Sequence, residues 1–564
     1  MLDILTLITQ ALTSVFPGVP DKKIIIRQTP DPQMGDLGIN VLPIAKALGE
    51  ESLQVAGRAA EALRQLAYVR GAEIKGPFVN VFLYRQPLIA DLCNKVREDE
   101  FYGSGKTGAG HPALIEHTSI NPNASPHVGR GRNALIGDSL SRLFRFEQYD
   151  LEVHYYVNDL GKQIALLVME CRGKDNISFG DMLALYVAAN ERAKADPAFE
   201  QQAFDLLRRF EEHDEEVVRE FLDRTGACLA GQLQVMSRLG IRYDFFDRES
   251  DFVHDPELDV IIEKLRQRGA LFNDEHGREV VDLKKLGFQA QEGQYFVLRR
   301  ANGSSMYGYR DIAYTLYKLR RCPESNIVVL GQDHWLYFSQ LGTILQVADI
   351  KPPELVTYSH ILLKEGKMST RQGNVILLED FLDEAIARSR ERVNESCPEM
   401  DEAERAEIAR RVGVGAVKFS ILRVAPQSNV IFDWEQALTF EGDSAPYIQY
   451  CCTRISSILR RYGQEVGRVE DMEFAVGDEE WQLAYGLSEL PNIIRSALAK
   501  RNPGILANYA LDIAKSFNRF YRECPVLQAD SPDQRTLRLN LCVSTYKVLF
   551  TVLDLLGIEV PERM

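Results

Sequence analysis

Residues 113–157 restrict the fold more than any other stretch of the chain. Ala113-Leu-Ile-Glu-His-Thr-Ser119 has the composition of a strand and Asn121-Pro-Asn-Ala-Ser-Pro126 that of a turn. Leu135, Ile136, Leu140, Leu143 and Phe144 then recur at helical spacing, and a second strand candidate follows at 151–157. Strand, loop, helix, strand is a βαβ unit. Its two strands run the same way, which commits this region to a parallel, doubly wound sheet. Strand-like signals resume at 294–298 and at the Ile, Val and Leu run 327–330. Between them, 170–285 reads as a long, acidic, helix-rich insertion. Its run Glu211-Glu-His-Asp-Glu-Glu216 has the look of a solvated helix face.

The remainder is too long for one further domain: 564 residues, at roughly 150 per domain, make three to four. Residues 1–105 alternate amphipathic helix (4–16, 53–66) with short strand-like runs (23–27, 78–83), an α+β module. Phe101-Tyr-Gly-Ser-Gly-Lys-Thr-Gly-Ala-Gly-His-Pro112 marks the first boundary. It has the flavour of a phosphate loop, but no strand precedes it, and it reads as a linker or ordered loop. From about 401 the pattern is nearly all helix, as expected of a connecting segment (401–440) followed by a bundle (441–564). Nine cysteines are scattered without a CxxC pair, so neither a disulfide framework nor structural zinc is expected, and Cys451 and Cys452 read as packing residues. The apolar run 543–556 is broken by Lys547 and Asp554 and falls short of the ~20 residues a bilayer needs. The N-terminus has Asp3 and no basic cluster, so a cytoplasmic chain is expected.

Chemistry concentrates in three places. Pro126-His127-Val-Gly129-Arg130-Gly131-Arg132 lies between strand and helix, where a helix start offers unpaired N–H groups and a positive dipole end to phosphate. There the glycines would allow a nucleotide close to the backbone, and His127, Arg130 and Arg132 would add donors. A plain capping role for His127 fits the same position. Glu365-Gly-Lys367-Met368-Ser369-Thr-Arg371-Gln-Gly373-Asn374 is either a mobile loop able to close over a polyphosphate or an exposed basic turn. Tyr307-Gly-Tyr-Arg-Asp311 opens an apolar-periodic run, and Gly331-Gln332-Asp-His334 follows the 327–330 strand, where an open α/β sheet binds its ligands.

These segments carry a resemblance. His127-Val-Gly-Arg130 resembles the HIGH signature of class I aminoacyl-tRNA synthetases, and Lys367-Met-Ser-Thr-Arg371 resembles their KMSKS signature. Glu116-His-Thr-Ser-Ile-Asn-Pro122, Tyr307-Gly-Tyr-Arg-Asp311, Phe432-Asp-Trp434, 440–450 and 453–460 are similar to arginyl-tRNA synthetases in particular. The likeness runs the length of the chain. It implies an α/β fold: a doubly wound, Rossmann-like catalytic domain (106–400) with a helical insertion, an α+β N-terminal tRNA-binding domain with Gly35-Asp36 and Asn40 in place, and an all-helical C-terminal anticodon-binding bundle.

The activity implied is activation of L-arginine by ATP with Mg2+ and transfer to tRNA(Arg) by a monomer. His127, Arg130 and Lys367 would be catalytic. His127, Gly129, Arg130, His360, Lys367, Met368, Ser369 and Arg371 would bind ATP, with no resident metal. Glu116, Ser119, Asn121, Tyr307, Asp311 and Gln332 would hold arginine, the two carboxylates facing its guanidinium. Asn40, Tyr447, Tyr450, Arg454, Arg460 and Arg461 would meet tRNA. One departure stands out: Arg130 replaces the second histidine of HIGH, with activity expected to survive; Arg371 at the end of KMSKS is a form common among arginyl enzymes. A nucleotidylyltransferase shares the HxGH-type turn but does not need the helical domain, and a non-catalytic RNA binder or arginine sensor would follow only if Arg130 disabled the site. The charge of −15 excludes only a uniformly basic RNA binder, because residues 441–564 hold 14 basic against 17 acidic residues. Arg454, Arg460, Arg461, Lys500 and Arg501 are expected to form a local basic face.

Overall fold

The computed structural model describes residues 2–29, 31–174, 176–253, 255–289, 293–301, 303–364, 376–396, 398–469 and 475–564. The chain divides into two units, one of residues 1–104, 448–495 and 509–552, the other of 105–447, 496–508 and 553–564. In the first, β1 (Ile25–Gln28), β2 (Leu37–Asn40), β3 (Val69–Lys75) and β4 (Phe78–Leu83) form an antiparallel sheet in the order β1-β2-β4-β3. Helix Leu2–Val15 repeats apolar residues every fourth position, and Ile4, Ile8 and Leu12 are buried as that period requires. Residues 1–105 and the C-terminal helices, expected as separate domains, meet within this unit. Arg85 bridges Asp36 and Asp478, Arg97 donates to the Val466 carbonyl, and Tyr102 Oη donates to Leu487 O. Partners almost 400 positions apart leave no periodic trace in the sequence.

The second unit is built on five parallel strands. β5 (Pro112–Glu116) and β6 (Asp150–Val157) are the expected βαβ pair, joined by helix Val128–Phe146, and β7 (Phe245–Arg248) continues the sheet beyond β6. The stretch expected as a helical insertion therefore holds helices Asp181–Ala195, Pro197–Glu211 and Glu215–Arg238, and then returns to the sheet at Phe245. β8 (Leu271–Asn273), β9 (Glu279–Asp282) and β10 (Tyr295–Arg299) make a separate antiparallel sheet, so the 294–298 signal belongs outside the doubly wound core. β11 (Asn326–Gly331) and β12 (Glu354–Tyr358) complete the order β12-β11-β5-β6-β7. Strands β6 and β7 lie on one side of β5 and β11 and β12 on the other, which puts the switch point, and the crevice beyond the carboxyl ends, beside β5. Short β13 (Ile361–Leu363) pairs with β14 (Val430–Phe432), a strand inside the segment expected to be helical.

The 101–112 loop is ordered by a carboxylate. Glu147 accepts from Gly105 N at 2.8 Å and from Thr107 N and Oγ1 at 3.1 and 2.6 Å, so its phosphate-like amides are already committed. The described cysteines are free and buried, Cys451 and Cys452 completely. Among the described residues no helix is long and apolar enough to cross a membrane, and no three His, Cys, Asp or Glu side chains group to hold a metal.

Candidate active site

The carboxyl end of β5 runs straight into strained backbone. Thr118 and Ser119 have φ of 72° and 42°, left-handed values that β-branched and other side-chain-bearing residues seldom adopt. Asn133 of the 128–146 helix fixes Thr118 by accepting its N–H at 2.7 Å, and Tyr243 donates to Thr118 Oγ1 at 2.8 Å. The turn this creates sends Ser119 Oγ back to Glu116 Oε1 at 3.2 Å, while Tyr156 N donates to the same hydroxyl at 3.2 Å. Asn121, an exposed residue, then leads to His127 along a wall whose Asn121 and Ala124 carbonyls accept from Gln232.

His127 occupies the N-cap of helix Val128–Phe146 in extended geometry, and its side chain makes no capping bond. Burial, and after it the charge of Arg130, lowers its pKa, so the ring is neutral at pH 7. Gly129 is needed for the ring itself: a Cβ at 129 would lie 2.9 Å from His127 Cε1 and 3.0 Å from Nδ1. A Cβ on Gly131 would lie 2.9 Å from Leu378. The two glycines thus make room for the protein's own side chains, where the sequence suggested room for a nucleotide. One helix-start amide is also spent, because Val128 N donates to Ile376 O at 3.1 Å, part of a strand-like bridge between His127 and Leu377.

Arg132 departs furthest from expectation. It is fully buried, and its guanidinium donates to the carbonyls of Ser359 (2.7 Å), Ser428 (2.8 Å), Ala425 (3.0 Å) and His360 (3.4 Å). It ties the helix start to the β12–β13 and pre-β14 turns and does not serve as a phosphate donor. Asn121, His127 and Arg130 do share one cavity of about 790 Å³, whose opposite wall is Leu183, Tyr186 and Val187 of helix Asp181–Ala195. Lys367, Met368, Ser369 and Arg371 lie outside the described residues. The segments flanking them are placed: Lys364 bonds Phe432 O and Asp433, and Ile376 meets the helix start.

A second cluster is built on helix Tyr307–Arg321. Tyr307, Arg310, Asp311, Tyr314 and Lys318 recur three and four apart and so share one helical face. Lys318, 1% exposed at its side chain, pairs with Glu116, and Arg310 Nε donates to Glu249 Oε1 at 2.7 Å. Asp311 accepts from Tyr337 Oη at 2.5 Å. Arg310 also lies over the Tyr307 ring, which is half-exposed. Burial raises Glu249 to about 7 against the pull of Arg310, and burial raises Asp311 to about 6 against Tyr337 and Arg310. Among the described residues three carboxylates here face two cations, and Glu211, 4.0 Å from Arg310, adds to the negative excess. Carboxylates short of cations, with raised pKa values, suit a cationic ligand.

Of this cluster the sequence singled out Glu116, Ser119, Tyr307 and Asp311, and it did not single out Glu249, Tyr156, Tyr337 and Lys318. The helical period from Asp311 would have flagged Lys318; Glu249 has no local signal, since it follows β7, itself four residues long. Gln332 and His360 are exposed beyond β11 and β12, and Gln332 Oε1 accepts from Ser359 Oγ at 2.8 Å. Their position fits a ligand crevice.

The tRNA candidates divide. Asn40 Oδ1 accepts from Leu42 N at 3.0 Å just ahead of helix Leu42–Leu48, and Asn40 lines a 480 Å³ hollow with Arg27, Gln28, Lys75 and Phe78. Asp36 of Gly35-Asp36 is buried on Arg85 and Leu83 N, a structural role. On helix Ala445–Tyr462, Tyr450, Arg460 and Arg461 are exposed and Tyr447 is half-buried, whereas Arg454 is held by Asn518 at 2.6 Å and lies over Tyr450 and Tyr521. Arg501 drops out of the expected basic face: it belongs to the second unit, where it is bonded twice to Glu354 and stacked on Phe144.

Three family models match the chain in series: the arginyl tRNA synthetase N terminal domain at 2–83, the catalytic domain of class I (R) tRNA synthetases at 94–434, and the DALR anticodon binding domain at 448–564. The arginine–tRNA ligase of Methanopyrus kandleri is 37% identical, covering 99% of this chain and 97% of its own. That of Methanocaldococcus jannaschii is 35% identical over the whole of both chains. Among solved structures, the arginyl-tRNA synthetase of Thermus thermophilus superposes with a TM-score of 0.80 at 27% identity, covering 99% of this chain and 98% of its own. The Plasmodium falciparum arginyl-tRNA synthetase shares the fold, with a TM-score of 0.75 at 19% identity over 100% and 98% of the two chains.

Proposed function

The chain belongs to the arginyl-tRNA synthetases of class I, its reaction is the ligation of arginine to tRNA, and we propose that the carboxylate cluster on helix Tyr307–Arg321 is where the arginine side chain binds. The observation that carries this reading is the uncompensated negative charge around Asp311. A guanidinium supplies the missing cation and five N–H donors in a plane. Asp311 offers it the open acceptor, since Glu116 is already engaged by Lys318 and Ser119. Glu116 therefore sets the field and the position of its neighbours more than it forms the expected two-bond clamp. Lysine lacks the planar fork, and a buried carboxylate left half-paired rejects it without a proofreading step.

In the activation step an arginine carboxylate oxygen attacks the α-phosphorus of ATP and pyrophosphate leaves. His127 sits at the helix start with its ring unbonded to the helix, neutral at pH 7, able to donate an N–H to the phosphate where charge accumulates. Arg130 shares its cavity and adds a permanent charge. Gly129 keeps the His127 ring in place, and His360 lies at the adjacent strand end. Lys367, Met368, Ser369 and Arg371 are assigned to the pyrophosphate end on sequence likeness alone. Mg2+ comes with ATP as part of the substrate. Asn121 and Gln332 are assigned to the arginine main chain and Ser119 and Tyr307 to its pocket. tRNA contact is assigned to the Asn40 hollow and to Tyr447, Tyr450, Arg460 and Arg461, with Arg454 positioning Tyr450.

Charging of unfractionated tRNA by the purified protein with each amino acid in turn tests the reading: arginine alone is expected to give ATP-dependent product, and charging with another amino acid instead would overturn it. Two narrower results are expected. The KM for arginine should fall as pH rises through about 6 and level off above about 7, because the cation binds the ionised Asp311; below pH 6 it should climb by up to ~10-fold per unit. A KM flat down to pH 5 would contradict this. Arg130→Ala should lower kcat by roughly tenfold while leaving the KM for arginine unchanged. An aminoacylation rate equal to that of the parent would show that Arg130 does not replace the missing histidine.

A further inference from the structure

We propose that Tyr156 is a specificity-determining residue of this site, its hydroxyl receiving an N–H of the arginine guanidinium. The proposal rests on the arginine-pocket reading above and extends it to a residue the sequence did not single out. Tyr156 lies on β6, 5% exposed, and its ring stacks on Tyr314 with centroids 4.2 Å apart and planes 9° from parallel. Its backbone N–H holds Ser119 Oγ, which in turn reaches Glu116. The phenols of Tyr314 and Tyr337 are satisfied: Tyr314 Oη donates to Asp247 at 2.9 Å and Tyr337 Oη to Asp311. The Tyr156 hydroxyl is buried and has no hydrogen-bond partner among the described residues.

An orphan hydroxyl at that depth costs free energy unless something arrives to bond it. The charges that act on it identify what that is. Glu249, Asp311 and Glu116 all raise its pKa and Arg310 opposes them, so the hydroxyl sits in the field of all three carboxylates. A group that bonds this oxygen while offsetting that field must be a cation with several donors, and a guanidinium presents its N–H groups in one plane to Asp311 and the phenol together. A compact ammonium has the charge but not the reach to both. No covalent step is involved.

The test is Tyr156→Phe in the full-length protein, which retains the stacking on Tyr314. Aminoacylation with saturating tRNA should show the KM for arginine raised about 10- to 100-fold, with kcat within about threefold and the KM for ATP unchanged. Without arginine the variant should melt at the parent's temperature or slightly above it, having lost an unsatisfied buried group, and the rise in Tm on adding arginine should be smaller. An unchanged KM with an unchanged arginine-induced shift would overturn the proposal. So would a ligand-free Tm several degrees lower with kcat and both KM values disturbed together, the signature of a merely structural tyrosine. Asp311→Asn run in parallel separates the two claims. If Asp311→Asn abolishes arginine use while Tyr156→Phe does not raise KM, only the role of Tyr156 fails; if Asp311→Asn leaves the KM intact, the pocket reading fails with it.

Discussion

Asp311→Asn should lower kcat/KM for arginine by on the order of 10²- to 10³-fold, the equivalent of about 3–4 kcal/mol for removing one partner of a buried charge pair. The asparagine keeps the volume and can still accept from Tyr337, so the loss reports the missing charge. Steady-state aminoacylation against arginine concentration measures it, and a loss below about fivefold would mean that the guanidinium binds elsewhere. The same substitution should make the ligand-free protein more stable above pH 6. Burial raises the folded pKa of Asp311 to about 6, above its ordinary 3.8, so ionising it subtracts from stability; the cost begins above 3.8, is complete beyond 6 and vanishes in acid. A melting-temperature gain at pH 8 that disappears towards pH 4 is the expected result.

His127→Ala should lower kcat by about 10²- to 10³-fold with the KM for arginine within about threefold, as expected for a donor that acts on charge developing at the phosphate. Gly129→Ala provides the finer test. Its Cβ would stand 2.9 Å from the His127 ring, so the ring must turn away, while the backbone at 129 is ordinary helix that prefers alanine by up to ~1 kcal/mol. The variant should therefore be as stable as the parent, or more so, and yet slower by roughly tenfold. Thermal melts and kcat measured together check this: a full-speed Gly129→Ala would show that the ring's place is immaterial, and His127→Ala retaining parental kcat would remove His127 from the chemistry.

The helix-start site was legible because it is local. Strand, turn and helix follow one another within 113–146, their periods differ, and the histidine at the junction needs no distant partner to reach the helix N-terminus. Asp311 was legible in kind for the same reason, standing in the second turn of a strongly periodic helix. Arg132 was misread because its neighbours in sequence, His127 and Arg130, face a cavity while Arg132 turns inward. Only the approach of residues 359–360 and 425–428, some 230 to 300 positions later, supplies the carbonyls that engage it. Glu249 was missed because it follows a strand of four residues with two polar positions, and β8, β9 and β10 carry too short a pattern to separate them from the parallel core.

The sequence by itself determined the βαβ unit, the order of the segments, the helix-start histidine and the acid at 311, since each depends on residues within a few turns of one another. Tertiary structure alone decided which charges neutralise which. Glu116 with Lys318, Glu249 with Arg310 and Arg132 with four carbonyls are pairings across 60 to 300 positions. Coulomb energy and desolvation depend on distance and burial, which no spacing along the chain encodes, so the unpaired charge at Asp311 and the orphan hydroxyl of Tyr156 become visible only once the chain is folded.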